Sequence, residues 1–270
     1  MIYNNNNITE LDLKKYNRHF VFGCSFTNYY WPTWADILTK EMPGVNYINT
    51  AKPGAGNSYI LAKLSQAMRY YNIGEGDLVS IMWTTFYRQD RFQEGEWQTP
   101  GNIYTQNTVP IETVEKYYDD TFGFAQRDFA LIDTAVNMMA GQEYDSLMMW
   151  GVSPDKQDYY GLSQHWDKET DCSSLKSLYK NLENSILPDL LTVGCNEHWA
   201  ETFSFTQPDG SSQVDYHPKT KTYYNYLKTI GINLSEETGA WADECDAHTT
   251  SVESSEDLDY LHKWFNFINL

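Results

Sequence analysis

The stretch "FVFGCSFTNYYWPTW", residues 20–34, decides the fold. Phe20, Val21 and Phe22 form an unbroken apolar run, the pattern of a strand covered on both faces, as in a parallel sheet under helices. The run stops at Gly23-Cys24-Ser25-Phe26-Thr27. A helix-like segment, "WPTWADILTKE", follows, with Pro32 tolerated in its first turn. A small hydroxyl residue, Ser25, therefore stands at the carboxyl end of a strand, next to the predicted start of a helix.

Working outward, the same alternation repeats. "GVNYINTA" at 44–51 reads as a second strand. "PGAGNSYILAKLSQAMRYYN" reads as a glycine loop and then a helix with Ile60, Leu64, Ala67 and Tyr71 at helical spacing. "GEGDLVSIMWTT" is a third strand and "YDSLMMWGVSP" a fourth, separated by a long loop over 88–112 and a helical stretch in two pieces near Gly123. "CSSLKSLYKNLENSIL" and "HPKTKTYYNYLKTI" read as further helices, while 188–214 has no clear period. The Asn-rich start is expected to fray. Strands alternating with helices from 19 to about 187 imply a parallel sheet with helices on both faces.

In such sheets the functional crevice lies outside the carboxyl ends of the strands. Three loops leave such ends: Gly23–Thr27, Ala51–Asn57 and Trp83–Thr85. Gly54 and Gly56 let the second loop bring a bare N–H close to Ser25. A serine hydroxyl is a poor nucleophile until a base takes its proton, and the base is usually a histidine oriented by a carboxylate. "QVDYHPKT" supplies Asp215 and His217 late in the chain. Alone, Ser25 reads as a helix cap and His217-Pro218 as a helix start. Together with Gly54 and Asp215, they read as nucleophile and base.

The set resembles the SGNH, or GDSL, hydrolase family of serine esterases and lipases. Gly23-Cys24-Ser25 stands where that family has Gly-Asp-Ser, Asn49-Thr50-Ala51-Lys52-Pro53-Gly54 follows its second motif, and Asp215-Tyr216-His217-Pro218 resembles its closing motif. The form is most similar to divergent members often found in bacteriophage genomes. The resemblance implies an α/β fold, a three-layer α/β/α arrangement of flavodoxin-like type with a five-stranded parallel sheet. It implies Ser25 as nucleophile, His217 as base and Asp215 as its partner, with oxyanion donors from the backbones of Ser25 and Gly54 and from an asparagine side chain. Three departures stand out. Cys24 replaces the motif's aspartate. The third motif reads Trp83-Thr84-Thr85-Phe86 and lacks its asparagine, so Asn57 or Thr85 is expected to substitute. Asp215 lies two residues before His217 rather than three, which brings the two together only in extended backbone.

The implied activity is ester hydrolysis, with O-acetyl groups on carbohydrate as the preferred substrate. The alternative is a catalytically impaired SGNH-fold component that binds glycans or partner proteins, for example in a virion. The chain is expected to form one domain over residues 1–270, with a core at about 18–230 and an acidic C-terminal extension at 231–270. With 37 acidic against 19 basic residues and a net charge of −18, it repels phosphate backbones and anionic membranes. No apolar run is long enough to span a bilayer, and the start lacks a secretory pattern, so an unexported, cytoplasmic or virion-associated protein is expected. "GAGNSY" lacks the third glycine of a dinucleotide fingerprint, and Arg88 reads as structural. Cys195-x-x-His198 and Cys245-x-x-His248 together have the composition of a zinc site, but scattered pairs in acidic loops arise by chance. No cofactor or metal is expected.

Overall fold

The computed structural model describes residues 1–103, 121–152, 185–190, 203–206 and 211–251, with positions 110, 112, 113, 116 and 182 besides. In chain order the elements are β1 (Ile2–Tyr3), β2 (Arg18–Phe22), α1 (Trp34–Lys40), β3 (Asn46–Asn49), α2 (Asn57–Tyr71) and β4 (Asp77–Trp83). The hairpin β5 (Arg91–Gln93) and β6 (Glu96–Gln98) follows, then α3 (Thr121–Met139) and β7 (Asp145–Trp150). A second hairpin, β8 (Phe203–Thr206) and β9 (Ser212–Asp215), precedes α4 (Thr220–Thr229) and α5 (Glu236–Thr250).

Five strands form one parallel sheet in the order β1-β7-β4-β2-β3, an α/β fold as the sequence led one to expect. From β2 the chain steps through α1 to β3, then back across β2 through α2 to β4, and onward through α3 to β7. Right-handed crossovers put α1 on one face and α2 and α3 on the other. Both α4 and α5 pack on α1 and complete its layer. Every residue of β4 is buried, which explains its unbroken apolar character. The one imidazole inside the sheet, His19, lies between the Thr39 and Ser80 hydroxyls at 2.9 and 2.8 Å. Burial lowers its pKa to about 3, so it is neutral and structural.

Several local expectations are corrected. The N-terminus does not fray: β1 is an edge strand beside β7. The terminal amine and Lys15 both pair with Asp145, at 2.8 and 2.6 Å. Asn4 and Asn7 turn the chain by taking backbone N–H groups onto their own side chains. The edge beside β7 is shared, since Leu187 bridges to Met149 further along. The loop after residue 88 contains the β5–β6 hairpin, whose turn uses positive φ at Glu94 and Gly95. The α3 helix begins at Thr121 and is continuous through Gly123, and the residues just before it, where the expected division into two pieces would fall, lie outside the described residues. Within the expected acidic C-terminal extension, residues 236–250 form a helix. Its inner face is Thr238, Gly239, Ala242, Cys245 and Thr249, residues too small to register as an apolar stripe. The helix expected over 172–187 falls largely outside the described residues. Among the described residues no helix is long and apolar enough to cross a membrane.

Candidate active site

Ser25 leaves β2 in a single tight turn, with Thr27 N and Asn28 N both donating to the Cys24 carbonyl at 3.0 and 3.1 Å. Gly23 is required here because an added Cβ would overlap the Thr27 side chain, which folds back and accepts from Trp34 Nε1 at 3.2 Å. The α1 helix begins only at Trp34, capped by Thr33 and Asp36. Ser25 therefore neither caps α1 nor stands at its N-terminus, and Pro32 precedes the cap. Its side chain is buried.

The second loop lies against the first. Asn28 Nδ2 donates to the Ala51 carbonyl at 3.0 Å, Asn49 Nδ2 to the Thr27 carbonyl at 3.2 Å, and Lys52 N to the Gly23 carbonyl at 3.3 Å. The β5–β6 hairpin fixes its outer side: Lys52 Nζ reaches the Trp97 carbonyl at 2.6 Å, and Thr99 Oγ1 reaches the Pro53 carbonyl at 3.0 Å. Asp90 accepts from Gly56 N and Tyr59 N, both at 2.8 Å, and so caps α2 from outside the helix. Gly54 has φ of 75° and an added Cβ would overlap the Thr99 carbonyl. Gly54→Ala is expected to cost at least about 1–2 kcal/mol from the left-handed backbone alone. Thermal unfolding measures it, and an unchanged midpoint would mean the loop relaxes freely.

Asn57 requires a correction. Its Nδ2 donates to the Thr84 carbonyl at 3.1 Å and to Asp128 Oδ2 at 2.8 Å, and its Oδ1 accepts from Thr84 N at 3.0 Å. Both amide hydrogens are engaged, so Asn57 has none left for an oxyanion. It instead ties α2 to the end of β4. Asp128 is fully buried and also accepts from Arg127 Nε at 2.6 Å. Burial raises its pKa to about 6, against the lowering effects of Arg127 and Asn57. Arg127 in turn donates to the Phe86 and Arg88 carbonyls, both at 3.1 Å. Next to this brace, the Thr85 hydroxyl is buried with no hydrogen-bond partner among the described residues. A buried orphan donor is uncommon and calls for an explanation.

At the end of β9, Asp215 Oδ1 accepts from both His217 Nδ1 and His217 N at 2.8 Å. The two-residue spacing works because Asp215 ends a strand and the chain bends at His217, whose N–H closes an Asx turn onto the Asp215 carboxylate. Asp215 Oδ2 accepts from the Tyr29 hydroxyl. Burial would raise the Asp215 pKa, but the bonds and charge from His217 and the Tyr29 bond hold it below the ordinary carboxylate value. With Nδ1 engaged, Nε2 lies on the opposite side of a side chain that is 24% exposed. The Tyr29 ring stacks on the imidazole, centroids 3.7 Å apart and 18° between planes. Phe26, which directly follows Ser25, meets it edge-on at 5.6 Å. The Ser25 loop and His217 are thus in contact, although among the described residues no hydrogen bond joins Ser25 Oγ to the imidazole. Sequence reasoning missed Tyr29, Asp90 and Asp128: one tyrosine among 21, and two acids among 37, carry no local mark.

Cys24 and Cys245 are buried free thiols. Burial first, and then Asp246 and Glu244, push the Cys245 thiol pKa up, so the uncharged form is favoured. Cys195 and His198 lie outside the described residues. Among the described residues no group of three or more His, Cys, Asp and Glu side chains is arranged to hold a metal ion.

No protein-family model matches this chain. No curated protein matches it either. Among solved structures, it is similar to a member of the lipolytic protein G-D-S-L family from Veillonella parvula, with 13% identity over 78% of this chain and 94% of that one and a TM-score of 0.42. It is also similar to a catalytic mutant of an acetylxylan esterase from Geobacillus stearothermophilus, with 14% identity over 80% and 95% of the two chains and a TM-score of 0.42. Likeness of outline at this level does not specify an activity.

Proposed function

We propose that this protein is a serine ester hydrolase in which Ser25 is the nucleophile, His217 the general base and Asp215 the carboxylate that orients the imidazole. The observation that carries the reading is the state of His217: its Nδ1 is held by Asp215, and its ring lies against Phe26, the residue after Ser25. In the reaction, Nε2 takes the Ser25 proton as Oγ attacks the ester carbonyl. The imidazolium then protonates the leaving alcohol, and water repeats the sequence on the acyl-serine. The serine–imidazole hydrogen bond of such sites is often long without substrate and tightens when one binds. The oxyanion is received by the N–H groups of Ser25 and Gly54 and by the Thr85 hydroxyl, whose lack of a partner among the described residues supports this role.

An O-acetyl ester on carbohydrate is the proposed substrate class. Its support is the family resemblance of the sequence together with Tyr30 and Tyr216, exposed neighbours of Tyr29 and His217 whose flat faces suit sugar rings. The test is a fluorophosphonate probe. The expected result is one label per chain on Ser25, found by peptide mass, and no label on Ser25→Ala. A folded parent that resists the probe would remove the reading.

A further inference from the structure

We infer that Tyr29 is a positioning residue, one that holds both members of the His217–Asp215 pair from the loop that carries Ser25. The inference rests on the hydrolase reading for its meaning in catalysis, but the geometry stands independently. Asp215 Oδ1 is shared by two donors of His217, so that oxygen alone would leave the carboxylate free to pivot about it. The Tyr29 hydroxyl binds the other oxygen and fixes the carboxylate plane. The same ring lies parallel to the imidazole and fixes its tilt, with the Phe26 edge on another side. A single side chain therefore removes the rotational freedom of both partners.

Tyr29 is itself held. Trp31 and Tyr30 meet its ring edge-on at 4.6 and 5.1 Å. Trp31 Nε1 donates to the Pro218 carbonyl at 2.8 Å, and Thr220 Oγ1 donates to the Pro32 carbonyl at 2.9 Å. The segment after Ser25 is thus laced to residues 215–220 over its whole length. Burial, then the Asp215 charge, raise the Tyr29 pKa, so the phenol stays protonated and remains a donor. Among the described residues Tyr29 touches both members of the pair, Tyr30 packs on Tyr29, and Tyr216 lies between Asp215 and His217 in the chain. Lys219 turns away, toward Thr250 of α5.

The test uses Tyr29→Phe, which keeps the stack and loses the hydroxyl, and Tyr29→Leu, which loses both. For Tyr29→Phe, kcat should fall about tenfold with KM nearly unchanged, the equivalent of one charge-assisted hydrogen bond. The acidic limb of the kcat/KM profile should move to higher pH, because Asp215 with one donor fewer stabilises the imidazolium more strongly. For Tyr29→Leu the fall should reach about a hundredfold or more, with thermal unfolding as the control for folding. Nitrogen NMR of His217 gives a reading that needs no turnover. The parent should show the Nδ1–H tautomer, Tyr29→Phe a raised titration midpoint, and Tyr29→Leu a mixture of tautomers. Parent-like kcat, acidic limb and His217 spectrum in Tyr29→Phe would overturn the inference. An enzyme inert to the probe whose His217 tautomer still depends on Tyr29 would defeat the hydrolase reading and leave the positioning role standing.

Discussion

His217→Ala is expected to lower ester hydrolysis by a factor on the order of 10⁵, with KM changed little. The reason is specific to the Ser25 environment. The hydroxyl is buried, and among the described residues the imidazole against the neighbouring Phe26 is the base proposed to take its proton, so without it the proton has no acceptor. Asp215→Asn should cost at least about a hundredfold, since its amide oxygen can keep both His217 donors but carries no negative charge to stabilise the imidazolium, and its NH2 meets the Tyr29 hydroxyl where the carboxylate accepted from it. The backbone bond from His217 N can persist in that variant, so the fold should survive. Initial rates with a chromogenic acetate ester measure both, and unfolding midpoints show whether the variants remain folded. Retention of more than a tenth of the parent rate by His217→Ala would rule out that residue as the base.

The second large effect is on stability. Asn57→Ala should destabilise the fold by about 3–4 kcal/mol, because it orphans Thr84 N and the Thr84 carbonyl and removes a donor from buried Asp128. The loss should depend on pH, and its sign follows from Asp128. The folded value, about 6, lies above the ordinary carboxylate value. Between the two, the folded chain holds a proton that the unfolded chain has released, so Asp128 costs stability as pH rises through that window. The Asn57 amide stabilises the charged form. Removing it should therefore hurt more at pH 8, where Asp128 is ionised, than at pH 5, where it is largely neutral. Urea unfolding at the two values decides this, and an equal loss of under about 1 kcal/mol at both would sink the account. Asp215 has the opposite sign: its lowered pKa contributes stability above the ordinary carboxylate range that is lost on acidification.

The central strands were legible because their signal is local. A run such as Asp77–Trp83 is apolar throughout since helices cover both of its faces, and no distant residue is needed to see that. The same is true of α2, whose Ile60, Leu64 and Ala67 are buried at helical spacing, although Tyr71 at its end is partly exposed. Where inner faces are made of small residues the local signal disappears, and α5 shows no apolar stripe in the sequence for that reason. The edge strand β1 escaped notice because two residues are too short for any period.

The amino-acid sequence by itself determined the parallel α/β order, the strand-end position of Ser25 and the Asp215–His217 spacing, all of which depend on neighbours a few residues apart. Only the tertiary structure decided which polar side chains remain available and which are engaged. Asn57 is taken by Asp128, 71 positions away, and Asp215 is anchored by Tyr29, 186 positions away. A hydrogen-bonding group can be satisfied by whatever the fold brings beside it. Its identity says what it can bind, and only packing says what it does bind.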